Sequence, residues 1–583
     1  MTTDYKSTVF LPKTEFPMRA GLPKREPLIL ARWEAMDLFN RQRDASKGRE
    51  QFVLHDGPPY ANGHLHIGTG LNKILKDIIN RSFQMMGRDA HYIPGWDCHG
   101  LPIEWKVEEE YRAKGLNKDD VDRVEFRRQC RAFADEWIDT QREEFKRLGV
   151  IGDWENYYTT MAYEAEATIA NELAKFAMNG GLYRGAKPVL WSVPERTALA
   201  DAEVEYHEHT SHTVHVPFPI VTPGPGLDLE AGTPIVIWTT TPWTLPSNRG
   251  IAFAEDATYC VVRCVAGTDK LRIPVGQRFV VAPPLVEETA KAARMTEWEV
   301  EREIPGSAFA GTICAHPLRG HGEADGFYDY DVPMHPADFV TMDAGTGFVH
   351  IAPSHGADDY ELGMAVGLPI TDNVGPDGAY REHVKLFAGL HIIDDEGQEG
   401  PANRAVCEAL MAAGMLYSWG RLKHSFPHSW RSKSPLLFRN TPQWFISMET
   451  NDLRKKALAA IDDTRFVPKS GQTRLRSMIE NRPDWCVSRQ RAWGVPIILF
   501  VHKQTGEVLR DQAVFDRVVQ AIREDGGDAW YERPAAEFLG DAYDPADYEQ
   551  VQDIVEVWFD SGSTHVFTLE ERPHMKWPAD LYL

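Results

Sequence analysis

Residues 55–104 read HDGPPYANGHLHIGTGLNKILKDIINRSFQMMGRDAHYIPGWDCHGLPIE. An apolar run, Phe52-Val53-Leu54, leads into a turn rich in Gly, Pro and Asn that carries His64 and His66. The helix expected next sets Leu71, Ile74, Leu75, Ile78 and Ile79 on one face, at spacings of three and four. A strand, a glycine-bearing turn and a helix N-terminus make an anion site, because free backbone N–H groups and the helix dipole favour phosphate. His66 stands at the mouth of that turn, placed to donate to a phosphate oxygen, and Gly68 lets a nucleotide approach the backbone closely. His91-Tyr92-Ile93-Pro94 reads as the next strand, delivering Gly95-Trp96-Asp97 to the sheet edge where open α/β folds bind ligands. A carboxylate beside an aromatic wall suits an ammonium group next to an apolar side chain.

A second constellation lies further on. Ile237-Trp238-Thr239-Thr240-Thr241-Pro242-Trp243-Thr244-Leu245-Pro246-Ser247-Asn248 offers a dense row of hydroxyls after a strand. GTGFVHIAPSHGADDY follows at 345–360, where Gly345 and Gly347 permit a tight backbone beside a ligand and His350 and Asp359 add polar groups.

The elements that must position these residues change character along the chain. Residues 1–45 read as an N-terminal arm and one amphipathic helix, Pro27 to about Ser46; residues 46–190 alternate strand and helix, with long helical patterns at 119–148 and 162–180. From 191 to 400 the texture is short β segments between Gly/Pro turns: Thr213–Ile220, Pro234–Thr240, Tyr259–Val265, Arg278–Val281 and Gly347–Ala352. Residues 401–480 read as a helical connection (Ala402–Leu416, Asn451–Ile461). In 481–583, Trp485–Phe500 and Ile554–Phe559 read as strands that rejoin the first sheet. The fold class expected is α/β, a Rossmann-type parallel sheet interrupted by a β-rich insertion.

At 583 residues the chain is long for one core and should divide into several domains. No stretch approaches the ~20 apolar residues of a membrane span, and the N-terminus has no apolar signal-peptide core, so no membrane and a cytoplasmic location are expected. Seven scattered cysteines form no even framework and fit a reducing compartment; Cys260 and Cys264, four apart in a strand, read as packing. A net charge of −23 argues against a generic nucleic-acid binder. Arg123, Arg127, Arg128 and Arg131, and Arg474, Arg476, Arg482, Arg489 and Arg491, cluster locally and read as solvated helix faces ahead of RNA contacts.

The string 55–104 closely resembles the isoleucyl-tRNA synthetases, a class I aminoacyl-tRNA synthetase family, and the likeness extends over essentially the whole chain. GPPYANG…HIG is similar to the ATP signature of the class, and GWDCHGLPIE to the isoleucine enzymes more than to their valine or leucine relatives. The resemblance implies ATP-dependent activation of L-isoleucine to the adenylate and transfer to tRNA(Ile). Carried over, Pro58 and neighbouring backbone hold the amino acid, His66 contacts the phosphates, Asp97 pairs with the substrate ammonium, and Trp493 (in RQRAWGVP) and Trp558 (in VWFDSG) lie near the side-chain pocket. The class signature ends in His where this chain has Thr69; Thr69 is expected to cap the helix and support the phosphate site, with His64 as a possible substitute for the missing charge.

A pocket turns one methylene into only about 1–3 kcal/mol, a limit for which the isoleucine–valine pair is the standard illustration and hydrolytic editing the remedy. The resemblance assigns that role to the insertion: Asp359 anchors the ammonium of a mischarged valine, while Thr239, Thr240, Thr241, Asn248 and His350 bind the ester and terminal ribose and position water. Relatives often carry two Cys-x-x-Cys pairs at the roots of the insertion. Here those places read Trp191-Ser192-Val193-Pro194-Glu195 and His428-Ser429-Trp430-Arg431-Ser432, so no zinc is expected there. Mg²⁺ is implied by ATP chemistry, and a monomer is expected. The lysine-rich KMSKS-type loop and anticodon-binding domain of the family do not occur in this sequence, which reads as the N-terminal portion of a longer enzyme. The competing readings are a stand-alone trans-editing hydrolase and a non-catalytic fragment.

Overall fold

The computed structural model describes residues 5–10, 14–15 and 19–583, and the chain divides into two compact units. The first comprises Met1–Glu172, Ala492–Val551 and Glu556–Leu583. Its centre is a parallel arrangement of very short strands: Leu54–His55 pairs with Leu581–Tyr582, and Gly95–Trp96 pairs with Tyr158–Thr159. Single parallel bridges, Gln51↔Asp89 and Tyr60↔Asp97, link the two pairs. Helices Ile67–Met85, Leu101–Ala113 and Arg123–Arg147 fill the connections, as parallel strands require. Arg123–Arg147 shows why the sequence folds so. Asp122 caps it by accepting the Val124 and Glu125 N–H groups, and Phe126, Cys130, Ala134 and Ile138 recur every four residues on its buried face. They pack with Trp96, Cys98, Ile103, Phe145 and Trp493.

Several expectations for this unit are corrected. The single helix Pro27–Ser46 is two, Leu22–Ala35 and Leu38–Ser46, broken where Asp37 takes a left-handed φ of 52° and binds the Asn40 side chain. Helix Ile67–Met85 buries Lys73, Lys76 and Asn80, while Leu71, Ile74, Leu75 and Ile78 are exposed. The reason is a buried anion: Asp56 accepts from Lys73 Nζ at 3.2 Å and pairs with Lys76, and Tyr92 Oη accepts from Lys73 at 2.8 Å. Nor is Arg127 on a solvated face. It is fully buried, donating to the Ala492 and Gly494 carbonyls at 2.7 and 2.8 Å and pairing with Asp528. Val557–Gly562, expected as strand, is helix; Phe500–His502 pairs antiparallel with Tyr548–Gln550.

The second unit comprises Leu173–Arg491 and Gln552–Val555. Its spine is the long strand Val204–Thr222. The first part of that strand pairs with Ser418–Ser429, its later part with Pro234–Thr239 and Ile313–Ala315. Beyond Pro234–Thr239 the sheet continues through Arg278–Val281 and Thr258–Gly267 to Met295–Pro305. Beyond Ile313–Ala315 it continues through Asp331–Pro336 and Gly250–Phe253 to Phe348–Ile351. Phe218, Ile235, Phe253, Val262, Phe279 and Phe309 form part of its closed core. A smaller sheet pairs Leu182–Ser192 with Leu437–Ile446, flanked by Thr197–Leu199 and Trp485–Cys486. The molecule is thus α/β with a β-rich insertion.

The expected helical connection 401–480 is corrected here. It holds helices Ala402–Ala412, Leu453–Asp463 and Ser470–Glu480, but between them run the two long strands Ser418–Ser429 and Leu437–Ile446. The strands they pair with along their whole length lie more than two hundred residues earlier, so no local signal announces them. Trp485–Cys486 and Ser488–Arg489 pair within this unit, with Leu437–Ile446 and Ile554–Val555. Arg489 and Arg491 are buried, not solvated. All seven cysteines are buried and free, and no helix of the described residues is long and apolar enough to cross a membrane.

Candidate active sites

In the first unit the turn after Leu54–His55 ends at His66, which is the N-cap of helix Ile67–Met85. Its Nδ1 accepts from the N–H groups of Gly68 at 3.0 Å and Thr69 at 3.4 Å, leaving the exposed Nε2 edge for a ligand. Thr69 is therefore not the cap, contrary to expectation; it stands inside the first turn. His64, two residues before His66, is held through the same ring nitrogen. Its Nδ1 meets Glu144 Oε1 at 2.6 Å, and Glu144 also accepts from Leu65 N at 2.9 Å. Pro58 sits half-buried in the loop whose next residue, Pro59, accepts the Asp97 N–H through its carbonyl at 2.9 Å.

Asp97 is buried, receives the Thr160 hydroxyl at 3.2 Å, and forms no ion pair among the described residues. Burial raises its pKa well above the carboxylate range, and the nearby Asp560 raises it further. A cation is what such a group lacks. The neighbouring His99 is already held: Nδ1 meets Asp560 Oδ2 at 2.7 Å and Nε2 meets Glu166 Oε1 at 3.1 Å. Burial would lower its pKa, but those two carboxylates outweigh it and lift it to about 9, so the ring is an imidazolium. Trp493 closes this corner from behind. It is fully buried, donates its indole N–H to the Cys98 carbonyl at 2.6 Å, and lies 5.0 Å from the His99 ring. Glu104 fixes it by accepting the Trp493 N–H at 3.0 Å. Trp558 differs: it is 44% exposed, in the first turn of Val557–Gly562, which also carries Asp560. His99 and Asp560 stand inside GWDCHGLPIE and VWFDSG, but only the fold brings them together with Glu166.

In the second unit a 350 Å³ cavity opens between the end of Pro234–Thr239, strand Phe348–Ile351 and helix Ala357–Val366. Thr239, Thr240, Thr241, His350 and Asp359 all line it. The hydroxyls form a chain: Thr239 Oγ1 to Thr241 Oγ1 at 3.1 Å, Thr241 Oγ1 to Thr244 Oγ1 at 3.4 Å, and Thr244 Oγ1 to His350 Nε2 at 2.9 Å. Thr244 donates its one proton to the Thr241 carbonyl at 2.9 Å, so it accepts from His350, which fixes the Nε2–H tautomer. Burial holds the His350 pKa down, to about 4, so the ring is neutral. Asp359 accepts the Ala352 N–H at 2.7 Å and forms no ion pair among the described residues. Burial raises its pKa to about 7 against that hydrogen bond.

Asn248 does not line the cavity. It is fully buried behind His350, its Nδ2 3.4 Å from Nδ1 and 2.9 Å from the Gly250 carbonyl. Thr244, to which the sequence alone gives no role of its own, is the residue that orients the histidine. Gly345 and Gly347 take φ of 73° and 82°; at Gly347 a Cβ would meet Ala282 at 2.5 Å.

A sequence profile for tRNA synthetases class I (I, L, M and V) matches residues 28–583. The isoleucine–tRNA ligase of Caulobacter vibrioides is 53% identical over 601 positions, covering 100% of this chain and 61% of that protein. The isoleucine–tRNA ligase of Gluconobacter oxydans is 52% identical over 592 positions, covering 99% and 60%. The chain therefore spans about three fifths of the length of these curated relatives. Among solved structures, the LeuRS–tRNA–LeuAMS ternary complex from Agrobacterium radiobacter K84 aligns over 95% of this chain and 60% of its own, at 16% identity and a TM-score of 0.35. With a profile match reaching from the first helix to the last residue, the chain belongs to the class I tRNA synthetases of the isoleucine, leucine, methionine and valine group.

Proposed function

We propose that the chain is the portion of an isoleucine–tRNA ligase that activates L-isoleucine with ATP and hydrolyses mischarged Val-tRNA(Ile). One observation carries the reading: each unit holds a carboxylate with no ion pair among the described residues, buried Asp97 in one and partly buried, cavity-lining Asp359 in the other. Both suit an α-ammonium group, and two ammonium sites are what activation followed by editing requires. At the first, Asp97 anchors the amino acid beside the wall backed by Trp493, with Pro58 and Trp558 near the side chain. His66, Gly68 and the N-terminus of Ile67–Met85 take the phosphates. Attack of the isoleucine carboxylate on the α-phosphate expels pyrophosphate, and the protein contributes position and charge. At the second, Asp359 anchors the valyl ammonium, and the Thr239–Thr241 hydroxyls and neutral His350 hold ester, ribose and water. Asn248 acts from behind His350.

Mg²⁺ accompanies the ATP phosphates; among the described residues no three His, Cys, Asp or Glu side chains are disposed to hold a metal ion. tRNA(Ile), a monomeric state, a cytoplasmic location and a zinc-free insertion root belong to the same proposal. The alternative, a hydrolase that edits in trans, is favoured by one fact: every residue of the hydroxyl-lined cavity lies in the second unit. The test is deacylation of Val-tRNA(Ile) by this polypeptide, with isoleucine-dependent pyrophosphate exchange alongside. Deacylation without exchange is the expected outcome, since these 583 residues contain no KMSKS-type loop; exchange as well would show that the ATP site works without that loop, and the absence of both overturns the proposal.

A further inference from the structure

The passages of chain that lead into and out of the large sheet meet at one buried carboxylate. Inward, Leu182–Ser192 turns through residues 193–196 into Thr197–Leu199 and on to Val204–Thr222. Outward, Ser418–Ser429 turns through residues 430–436 into Leu437–Ile446. Leu182–Ser192 pairs with Leu437–Ile446, and Val204–Thr222 with Ser418–Ser429, so the two turns are the joint between two antiparallel ribbons. Glu195, fully buried in the first turn, accepts from Ser429 Oγ at 2.7 Å and from the Ser432 N–H at 2.9 Å. Its backbone carbonyl accepts from Arg491 at 2.7 Å. Alongside, Glu203 pairs with Arg489 at 2.6 Å and accepts the Trp430 N–H through its carbonyl at 3.0 Å.

The spacing is that of a metal knuckle. At each joint a strand's last residue and one three further on, in the turn, make a pair, Ser192 with Glu195 and Ser429 with Ser432, as four thiolates do around tetrahedral zinc. Here the positions carry oxygen, and Glu195 Oε2 and Ser192 Oγ are buried with no hydrogen-bond partner. Within nine residues of Glu195 the chain enters Val204–Thr222, where Val214 pairs with Thr239 at the head of the threonine row.

We infer that Glu195 is a positioning residue, a metal-free clasp that fixes the joint and thereby the register in which the threonine row is presented. The inference rests on the editing role proposed above. In the full chain, Glu195→Ala should lower the kcat for Val-tRNA(Ile) deacylation about tenfold, the loss of hydrogen bonds to one buried carboxyl group, while any pyrophosphate exchange stays unchanged. Glu195→Gln, which keeps an acceptor for Ser429 and Ser432, should stay within about threefold. A zinc chelator should leave wild-type deacylation and unfolding temperature unaltered. Ser192, Glu195, Ser429 and Ser432 changed together to Cys should yield a protein that takes up one zinc ion and whose deacylation becomes chelator-sensitive. Wild-type deacylation by Glu195→Ala, chelator inactivation of the wild type, or no zinc uptake by the fourfold variant overturns the clasp. Should the wild type deacylate nothing, the editing reading fails, and the clasp is then decided by unfolding temperatures and zinc uptake.

Discussion

At the scale of single residues, the second site is governed by two groups whose ionisation burial shifts: His350, held neutral, and Asp359, whose pKa is raised to about 7. An ammonium binds the ionised form of Asp359, so kcat/KM for Val-tRNA(Ile) deacylation should rise between pH 6 and 8 with a midpoint of about 7, a dependence lost in Asp359→Asn. Stability runs the other way. Asp359 ionises near its ordinary value of 3.8 when unfolded but near 7 when folded, so the folded state binds the extra proton and loses stability as pH rises through that interval. Asp359→Asn removes this loss: its advantage in unfolding temperature over wild type should grow from pH 4 to 7 and stay constant above, and an advantage that shrinks over that range would reverse the assignment. Thr244 makes the complementary case. Thr244→Val strips His350 of the acceptor that fixes its tautomer and leaves a buried N–H unsatisfied. Deacylation should fall roughly 10–100-fold, the equivalent of ~1–3 kcal/mol, with pyrophosphate exchange as the control. Equal losses in both reactions would mean a general folding defect.

At the scale of elements, helix Ile67–Met85 is the most instructive. Its apolar spacing announces a helix, and the helix exists; the same spacing suggests a buried apolar face, yet Ile74 and Ile78 are 41% and 54% exposed while Lys73 and Lys76 are buried. Ile74→Glu with Ile78→Lys should therefore change stability by no more than about 0.5 kcal/mol and reduce binding of a hydrophobic dye; marked destabilisation in chemical denaturation would show the face to be covered. Periodicity reports that a helix has two faces but not which one finds partners, and Asp56 and Tyr92, which decide it, lie outside the helix itself. The same limit explains the other misreadings. Ser418–Ser429 and Leu437–Ile446 owe their conformation to strands more than two hundred residues away. Arg127 and Arg489 look like surface charges because their carboxylates, Asp528 and Glu203, are distant in sequence. What was legible is local: the turn with His66, the threonine row, the glycines before His350. The α/β class was legible as well, because alternating strand and helix signals are themselves local. The roles inside each site needed three dimensions: Thr244 as orienter, Asn248 as support behind His350, His99 as a clamped imidazolium.

At the scale of the whole molecule, two hydrophobic clusters of the described residues each stay within one unit. The cluster around Phe253, Tyr259, Phe309 and Phe348 lies entirely within the second unit, and the one around Trp96, Phe126, Phe145 and Trp493 entirely within the first. Each set buries its own aromatic contacts: Phe253 to Phe309 at 5.9 Å in one, Trp96 to Phe145 at 6.4 Å in the other. Cooperativity follows shared buried surface, so each unit should unfold as its own transition in calorimetry. Phe253→Ala empties a fully buried position, a loss of about 3–5 kcal/mol, and should lower one transition only. A nonhydrolysable isoleucyl-adenylate analogue binds native protein alone and should raise the other, by mass action. A valine ester of adenosine should raise the transition that Phe253→Ala lowers, and Asp359→Asn should abolish that rise. If Phe253→Ala and the adenylate analogue move one common transition, the two cores form a single cooperative unit, and loss of editing in any variant of the second unit would then have to be measured against activation in the same preparation before it was assigned to the cavity.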